Sequence, residues 1–200
     1  MQHYYTSNPD IVSDKKIIES YISNDKYLFY TDNGVFSKGG VDFGTKSLLE
    51  VFSTDKDGAH VCDLGCGYGV VTVYLSKKYP NFKFTMIDVN NRALELSEDN
   101  IKLNNINSSI YLKENNGLDK IETNFDFIIT NPPIRAGKKV VHKMITDSFD
   151  KLIIGGELWV VIQKKQGMAS LKKLIFEIYG NVDVVSKNKG YYTLKSVKNN

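Results

Sequence analysis

The chain has 200 residues, of which 42% are hydrophobic and 24% charged, and its formal net charge is +3. This length is typical of one globular domain, and no stretch approaches the roughly 20 apolar residues of a membrane span. The opening residues also lack the pattern of a signal peptide. We therefore expect a cytoplasmic protein without membrane contacts, whose mildly basic charge permits nucleic-acid binding but does not require it.

The two cysteines, Cys62 and Cys66, fall within one glycine-rich segment. A zinc site needs a second Cys or His pair, which the sequence does not supply at a suitable spacing. We therefore expect no bound metal and a reducing environment.

Residues 1–58 do not share the regular pattern of the rest of the chain and are interpreted as an N-terminal extension that covers a ligand site. They open with a polar stretch that contains His3-Tyr4-Tyr5. A helix is predicted near residues 13–23. The dipeptide Asn33-Gly34 predicts a turn between strands at 27–30 and 35–36, and a helix is predicted over 45–52.

From residue 59 to residue 200, short apolar runs rich in β-branched residues alternate with segments of helical period. This alternation is typical of a parallel sheet covered by helices. The predicted strands span residues 59–64, 82–88, 109–113, 125–130 and 157–163. The predicted helices span residues 70–78, 91–103, 138–152 and 168–179, with Gly155-Gly156 and Gly180-Asn181 as stop signals.

The end of the chain differs from this alternation. Strands predicted at 182–186 and 191–196 flank Asn188-Lys189-Gly190, a short connection typical of an antiparallel hairpin. The predicted fold class is therefore α/β and Rossmann-like, with one globular unit over residues 59–200. Its sheet is mostly parallel, with one antiparallel member in the C-terminal hairpin and helices on both faces.

The strongest local signal is Asp63-Leu64-Gly65-Cys66-Gly67-Tyr68-Gly69, which lies between the first predicted strand of this unit and the helix that follows. Glycines let such a loop turn tightly and approach a ligand closely, because no Cβ intervenes. A second acid, Asp88, ends the next strand at a spacing that suits the hydroxyls of a ribose. The pattern predicts a nucleotide-like cofactor, whereas the plain alternative is a tight strand-to-helix turn without a ligand.

The residues favour S-adenosylmethionine over a dinucleotide as this cofactor. A dinucleotide-binding loop has its third glycine at the position that Val70 occupies here. In addition, the Asp63 carboxylate would repel a pyrophosphate, whereas it would attract the amino group and the sulfonium of S-adenosylmethionine.

The fourth strand of the unit runs directly into Asn131-Pro132-Pro133. Because both prolines have a fixed φ, the loop is stiff and can present the Asn131 side-chain oxygen and the Pro132 carbonyl toward one point. Two such acceptors suit an NH2 group whose lone pair must be directed at a methyl carbon. We therefore predict Asn131, Pro132 and Pro133 as catalytic residues, with a simple strand end as the plain alternative.

Taken in order, Asp63 to Gly69, Asp88 and Asn131 to Pro133 resemble the motifs of class I methyltransferases that act on amino nitrogens. Further segments are similar to the small-subunit ribosomal RNA guanine-N2 methyltransferase C family: His3-Tyr4-Tyr5, Gly34 to Gly39, Val41 to Thr45 and Asn131 to Gly137. This resemblance implies a seven-stranded methyltransferase fold, S-adenosylmethionine as the methyl donor and the N2 amine of a guanine in 16S ribosomal RNA as the acceptor. It also implies ribosomal RNA or the small subunit as partner.

The predicted cofactor-binding residues combine the loop, the second acid and positions that the resemblance adds: Asp63, Gly65, Cys66, Gly67, Gly69, Asp88, Val89, Asn116, Asn131 and Thr45. The resemblance places Asn116 near the adenine and lets the segment from Lys38 to Thr45 close over the cofactor. The predicted substrate-binding residues are Ile134, Arg135, Lys138, Phe36 and Phe43. Arg135 and Lys138 are candidates for phosphate contacts, and the two phenylalanines, with Tyr5, for base stacking.

The chain departs from the family in two respects. Larger members carry a second, degenerate domain before the catalytic one, so we expect domain pairing to be absent here or replaced by a homodimer. Many amino-methyltransferases also have an aromatic residue where this chain has Ile134. Three alternatives are kept: a protein glutamine N5-methyltransferase, against which Ile134 counts; a non-catalytic RNA-binding or ribosome-assembly factor; and a nicotinamide oxidoreductase, which Val70 and Asp63 disfavour.

Overall fold

A computed structural model of the chain describes residues 11–200. The predictions made for His3-Tyr4-Tyr5 lie outside this range. The strands are β1 (Lys16–Ile22), β2 (Asp25–Thr31), β3 (His60–Leu64), β4 (Lys83–Asp88), β5 (Ser109–Glu114), β6 (Phe125–Thr130), β7 (Leu152–Gln163), β8 (Asp183–Asn188) and β9 (Tyr191–Val197). The helices are α1 (Phe43–Val51), α2 (Val70–Lys78), α3 (Asn91–Leu103), α4 (Lys138–Lys151) and α5 (Met168–Tyr179).

Strands β3 to β9 form one seven-stranded sheet in the order β5-β4-β3-β6-β7-β9-β8. The first five strands in this order are parallel, and β9 runs antiparallel between β7 and β8. The predicted mixed sheet with a C-terminal hairpin is therefore confirmed. The chain moves outward in one direction after β3 and in the other after β6, and ligands of open α/β sheets bind at such a switch point, beside the carboxyl ends of the strands.

Two apolar clusters pack on opposite faces of the sheet because neighbouring strand residues point to opposite sides. On one face, Val61, Phe127 and Ile129 are fully or almost fully buried together with residues of α1, α2 and α3. On the other face, Cys62 and Ile128 pack with residues of α4 and α5. Helices therefore cover both faces, as predicted. In the described part of the chain, every helix is too short or too polar to cross a bilayer.

The predicted helix at 13–23 and the predicted strand at 35–36 are wrong. Residues 16–22 form β1, which pairs with β2 along its whole length. Its side chains alternate, with Ile17 and Tyr21 exposed and Ile22 buried, which is the period of a strand. The turn between the strands is at Ser23-Asn24, where both residues have positive φ, as a tight hairpin requires.

The stop signal proposed for α4 is also wrong. The helix ends at Lys151, and Gly155 and Gly156 lie inside β7. Gly155 adopts φ +78°, and its N–H donates to the Lys198 carbonyl. A Cβ on Gly156 would lie 2.9 Å from the Ile153 carbonyl oxygen. The two glycines therefore serve an irregular entry into the strand rather than a helix end.

Candidate active site

A cavity of about 430 Å³ opens at the carboxyl ends of β3, β4 and β6, where the strand order reverses. Its walls come from the loops after these strands and after β5, together with the segment from Phe36 to Thr45. Among the residues that the structure describes, the charged side chains in the wall are Asp42, Asp63 and Asp88. Three carboxylates without a basic side chain favour a cationic ligand and repel phosphate groups.

The glycine loop is held against the end of β4 by its own backbone. The N–H groups of Gly65 and Cys66 donate to the Ile87 carbonyl at 2.8 Å and 3.0 Å. Gly65 and Gly67 have φ of +75° and +56° and line the cavity. Gly69 does not line it; with φ +90° it caps α2, and a Cβ there would lie 3.1 Å from two neighbouring side chains. The first two glycines thus shape the cavity, and the third serves packing.

Asp63 is the penultimate residue of β3, lies beneath this loop and is only 2% exposed. Its Oδ2 accepts hydrogen bonds from the Thr72 N–H at 3.2 Å and the Thr72 hydroxyl at 2.9 Å, both in the first turn of α2. Burial raises the pKa of Asp63 to about 7, which the two Thr72 bonds oppose and the nearby Asp88 carboxylate reinforces. The ionised form of Asp63 thus lacks a cation among the described residues, and a cationic ligand would favour it.

Asp88 lies at the end of β4, on the adjacent side of the cavity. Its Oδ2 accepts a hydrogen bond from the Gly67 N–H at 2.9 Å, and its Oδ1 accepts one from the Asn90 N–H at 2.9 Å. Burial raises the pKa of Asp88, although these backbone donors act in the opposite direction. A carboxylate has about four lone-pair sites, so Asp88 keeps capacity to accept from a hydroxyl group beside its backbone donors.

Asn131 follows β6 and has its side-chain amide held in one orientation. Its Nδ2 donates to the Asp42 Oδ2 at 3.0 Å and to the Thr45 hydroxyl at 3.0 Å. Because the Asp42 carboxylate can only accept, the nitrogen must face it and Oδ1 must face away. The side chains of Asn131, Pro132 and Pro133 all line the cavity. The predicted acceptor loop therefore stands at the cavity wall with its amide oxygen left over.

Asp42 lies in the segment expected to close over the cofactor, but it was not named among the predicted catalytic or binding residues. It is the N-cap of α1, and its Oδ2 also accepts from the Thr45 N–H at 3.1 Å. An Asp directly before a helix is a recognisable N-cap signal, because its side chain can accept from the backbone N–H three residues later. Nothing in the local sequence, however, connects Asp42 with Asn131, 89 residues later.

The structure brings most of the predicted cofactor residues to one cavity. The residues of that prediction in its wall are Asp63, Gly65, Cys66, Gly67, Asp88, Val89, Asn116, Asn131 and Thr45. The wall also contains Ile87, Asn90, Ala93 and Asn115, which sequence reasoning missed because they lie beside the motifs rather than in them. The roles of the individual residues stay predictions.

The predicted substrate residues are less concentrated. Phe36 lines the cavity and is 37% exposed, as expected of a side chain at its mouth. Ile134, Arg135, Lys138 and Phe43 do not line it. Arg135 and Lys138 are exposed just beyond the Asn131 loop, while Phe43 packs on Tyr191 with ring centroids 5.6 Å apart. Their contacts with a substrate also stay predictions.

A family model described as "Methyltransferase small domain" matches residues 26–195. The chain belongs to this methyltransferase family. The coarser predicted function, an S-adenosylmethionine-dependent methyltransferase, is thereby confirmed. The positive charge of S-adenosylmethionine agrees with the acidic wall of the cavity.

Two relatives illustrate how the methyltransferase compares in sequence. It is 43% identical over 199 residues to uncharacterized protein YbxB of Bacillus subtilis, with 98% of each chain covered. It is 32% identical over 183 residues to ribosomal RNA small subunit methyltransferase C of Buchnera aphidicola, with 88% of this chain and 56% of the relative covered. The methyltransferase thus spans about half the length of the relatives that carry the ribosomal RNA name.

Solved structures confirm the predicted fold. A 16S rRNA N2 methyltransferase of T. thermophilus, in complex with AdoMet and guanosine, aligns with a TM-score of 0.81 at 22% identity over 95% of this chain and 52% of that chain. A ribosomal protein L11 methylase of Lactobacillus delbrueckii aligns with a TM-score of 0.65 at 18% identity, over 78% of each chain. Because one of these is named for RNA and the other for a protein, the fold alone does not select the substrate.

Proposed function

We propose that the chain transfers a methyl group from S-adenosylmethionine to the exocyclic N2 of a guanine in small-subunit ribosomal RNA. The observation that carries this proposal is the fixed amide of Asn131, whose Oδ1 is left as an acceptor beside the Pro132 carbonyl in an acid-lined cavity. That combination suits a cationic methyl donor and a neutral NH2 acceptor in one place.

The donor fits the residues of the cavity wall. In our proposal Asp88 holds the ribose hydroxyls, Asp63 faces the positive charge of the donor, and the backbone of Gly65 to Gly67 lies against its methionine portion. Val89 and Asn116 contact the adenine, while Thr45 and Cys66 complete the wall. When bound, S-adenosylmethionine supplies a methyl group on a sulfonium that is a good leaving group. The carboxylates stabilise the positive charge of the sulfonium, which would otherwise be unfavourable in a buried cavity.

The acceptor amine is oriented by the loop after β6. Asn131 Oδ1 and the Pro132 carbonyl each accept one N–H of the amine, so its lone pair points away from the ring toward the methyl carbon. Pro133 keeps the loop stiff, and Asp42 and Thr45 keep the Asn131 amide from rotating. One amine proton passes to solvent once the new N–C bond has formed. Positioning of this kind supplies most of the rate.

The choice of ribosomal RNA rests on the named relatives and on charge outside the cavity. Relatives about 32% identical are called ribosomal RNA small subunit methyltransferase C. Arg135 and Lys138 are exposed beside the Asn131 loop, where they can contact phosphates next to the target nucleotide. Phe36 at the cavity mouth offers a surface for stacking the target base. The reaction would take place in the cytoplasm, where the ribosomal substrate is found.

The test is to incubate the purified chain with tritiated S-adenosylmethionine and, in parallel, unmodified small ribosomal subunits, free small-subunit RNA and total protein extract. The products are then digested to nucleosides or amino acids. Label in N2-methylguanosine supports the proposal. Label in N5-methylglutamine would replace it with the protein substrate, since a glutamine amide offers the same NH2 group. Cofactor binding without label in any sample would favour a non-catalytic assembly factor.

A further inference from the structure

The two carboxylate oxygens of Asp42 differ in their hydrogen bonds. Its Oδ2 accepts two hydrogen bonds, from the Thr45 N–H at 3.1 Å and from Asn131 Nδ2 at 3.0 Å. Its Oδ1 receives no hydrogen bond from residues 11–200, and the side chain lines the cavity. An anionic acceptor therefore stands directly beside the amide that is proposed to hold the reacting amine.

The possible acceptor groups differ in what flanks their NH2. In guanine the carbon that bears the amine lies between two ring nitrogens, of which N1–H is a donor and N3 an acceptor. In adenine and cytosine the neighbouring ring nitrogen is an acceptor, and in a glutamine amide the neighbour is a carbonyl oxygen. Only guanine thus has an N–H donor beside its NH2, so a carboxylate on that side of the amine can accept a hydrogen bond from guanine and from none of the other three.

We propose that Asp42 is a specificity-determining residue, whose free Oδ1 accepts a hydrogen bond from N1–H of the target guanine. This inference rests on the proposed function. It adds recognition of the N1–H of guanine to recognition of the reacting NH2 group. The contact is charge-assisted, so it is stronger than a bond between neutral groups. It also strengthens as the amine gives up its lone pair, because the ring then becomes more positive.

The competing role for Asp42 is purely structural, as the cap of α1 and the anchor of Asn131. Asp42→Asn separates the two roles because the amide oxygen can take the place of Oδ2 and accept from both Thr45 and Asn131. Asparagine is also as good an N-cap as aspartate. The NH2 group must then take the place of Oδ1, which changes an acceptor into a donor at that one position.

The experiment measures kcat/KM with small-subunit RNA that carries either guanine or 2-aminopurine at the nucleotide labelled in the preceding test. In 2-aminopurine the N2 amine is kept, but N1 has no hydrogen and the O6 acceptor is absent. The loss of O6 affects both chains alike, so the change of the guanine preference in Asp42→Asn reports the contact at N1. The unchanged chain should prefer guanine by about 100-fold, since a site built to bind an N–H rejects an analogue without it. Asp42→Asn should lose about 100-fold on guanine and much less on 2-aminopurine, whose N1 can accept from the new NH2.

Controls keep this result apart from a folding or cofactor defect. The dissociation constant for S-adenosylhomocysteine, measured by calorimetry, should stay within about threefold in Asp42→Asn. Asp183→Asn makes the same chemical change at an exposed position at the start of β8, and it should leave both bases unaffected.

The outcomes are distinguishable. A guanine preference that collapses in Asp42→Asn supports the inference. An unchanged ratio between the two bases overturns the inference and leaves the proposed function standing. If the activity on both bases then falls by the same factor, Asp42 is a positioning residue for Asn131. If the unchanged chain binds S-adenosylhomocysteine but methylates no guanine, the proposed function fails and the inference fails with it.

Discussion

Replacing Asp63 with Asn should change how the stability of the ligand-free protein depends on pH. The carboxyl of Asp63 is 2% exposed, and burial raises its pKa from 3.8 to about 7. The native chain therefore holds this proton more tightly than the unfolded chain does. The stabilisation is fully present below about pH 4 and is lost as the pH rises through about 7.

The size of the effect follows from that pKa. One pKa unit corresponds to about 1.4 kcal/mol, so the free energy of unfolding should fall by about 2 to 3 kcal/mol between pH 5 and pH 7.5 on account of Asp63 alone. In Asp63→Asn the neutral amide oxygen can still accept from Thr72, and this part of the pH dependence should disappear. The variant should also bind S-adenosylmethionine more weakly at pH 7.5, because it has no negative charge to offer.

The assay is urea unfolding of both chains at pH 5 and pH 7.5, without ligand, with Asp183→Asn as a control at an exposed carboxylate. The other titrating groups are common to both chains, so the difference between the chains reports Asp63 together with its electrostatic coupling to Asp88. If the unfolding free energies of the unchanged chain and Asp63→Asn shift equally with pH, Asp63 does not titrate in this range and the argument from burial is refuted.

Three further substitutions test the remaining assignments. Asn131→Ala should depress turnover by roughly 100-fold while S-adenosylmethionine affinity stays within a few fold, as single-turnover and binding measurements would show; equal losses would contradict a transition-state role. Asp88→Ala should weaken binding of S-adenosylhomocysteine by more than about tenfold in calorimetry, and an unchanged dissociation constant would remove Asp88 from the ribose. Gly69→Ala should destabilise the fold by about 1 kcal/mol or more in urea, because φ is +90° and the new Cβ would lie 3.1 Å from two side chains; Gly39→Ala, with open space around it, should have a much smaller effect.

The sheet and its helices were predictable from the sequence because their signals are local. Strands β3, β4 and β6 are largely buried, mostly apolar runs with an acid or Asn131 at their carboxyl ends, and α3 has a clear apolar period. The N-terminal hairpin was predicted wrongly because its turn lacks the usual sequence signal. Ser23-Asn24 forms its turn without a glycine, whereas the more familiar Asn33-Gly34 pair leads into a loop.

The sequence by itself predicted which groups meet in the cavity wall, since the glycine loop, the two acids and the Asn-Pro-Pro segment are each recognisable within a few residues. Only the tertiary structure decided how these groups are oriented. The contact between Asp42 and Asn131 joins residues 89 positions apart, and it exists because the start of α1 packs against the end of β6. A local pattern cannot encode such a contact, because the sheet must first form before the start of α1 and the end of β6 lie side by side.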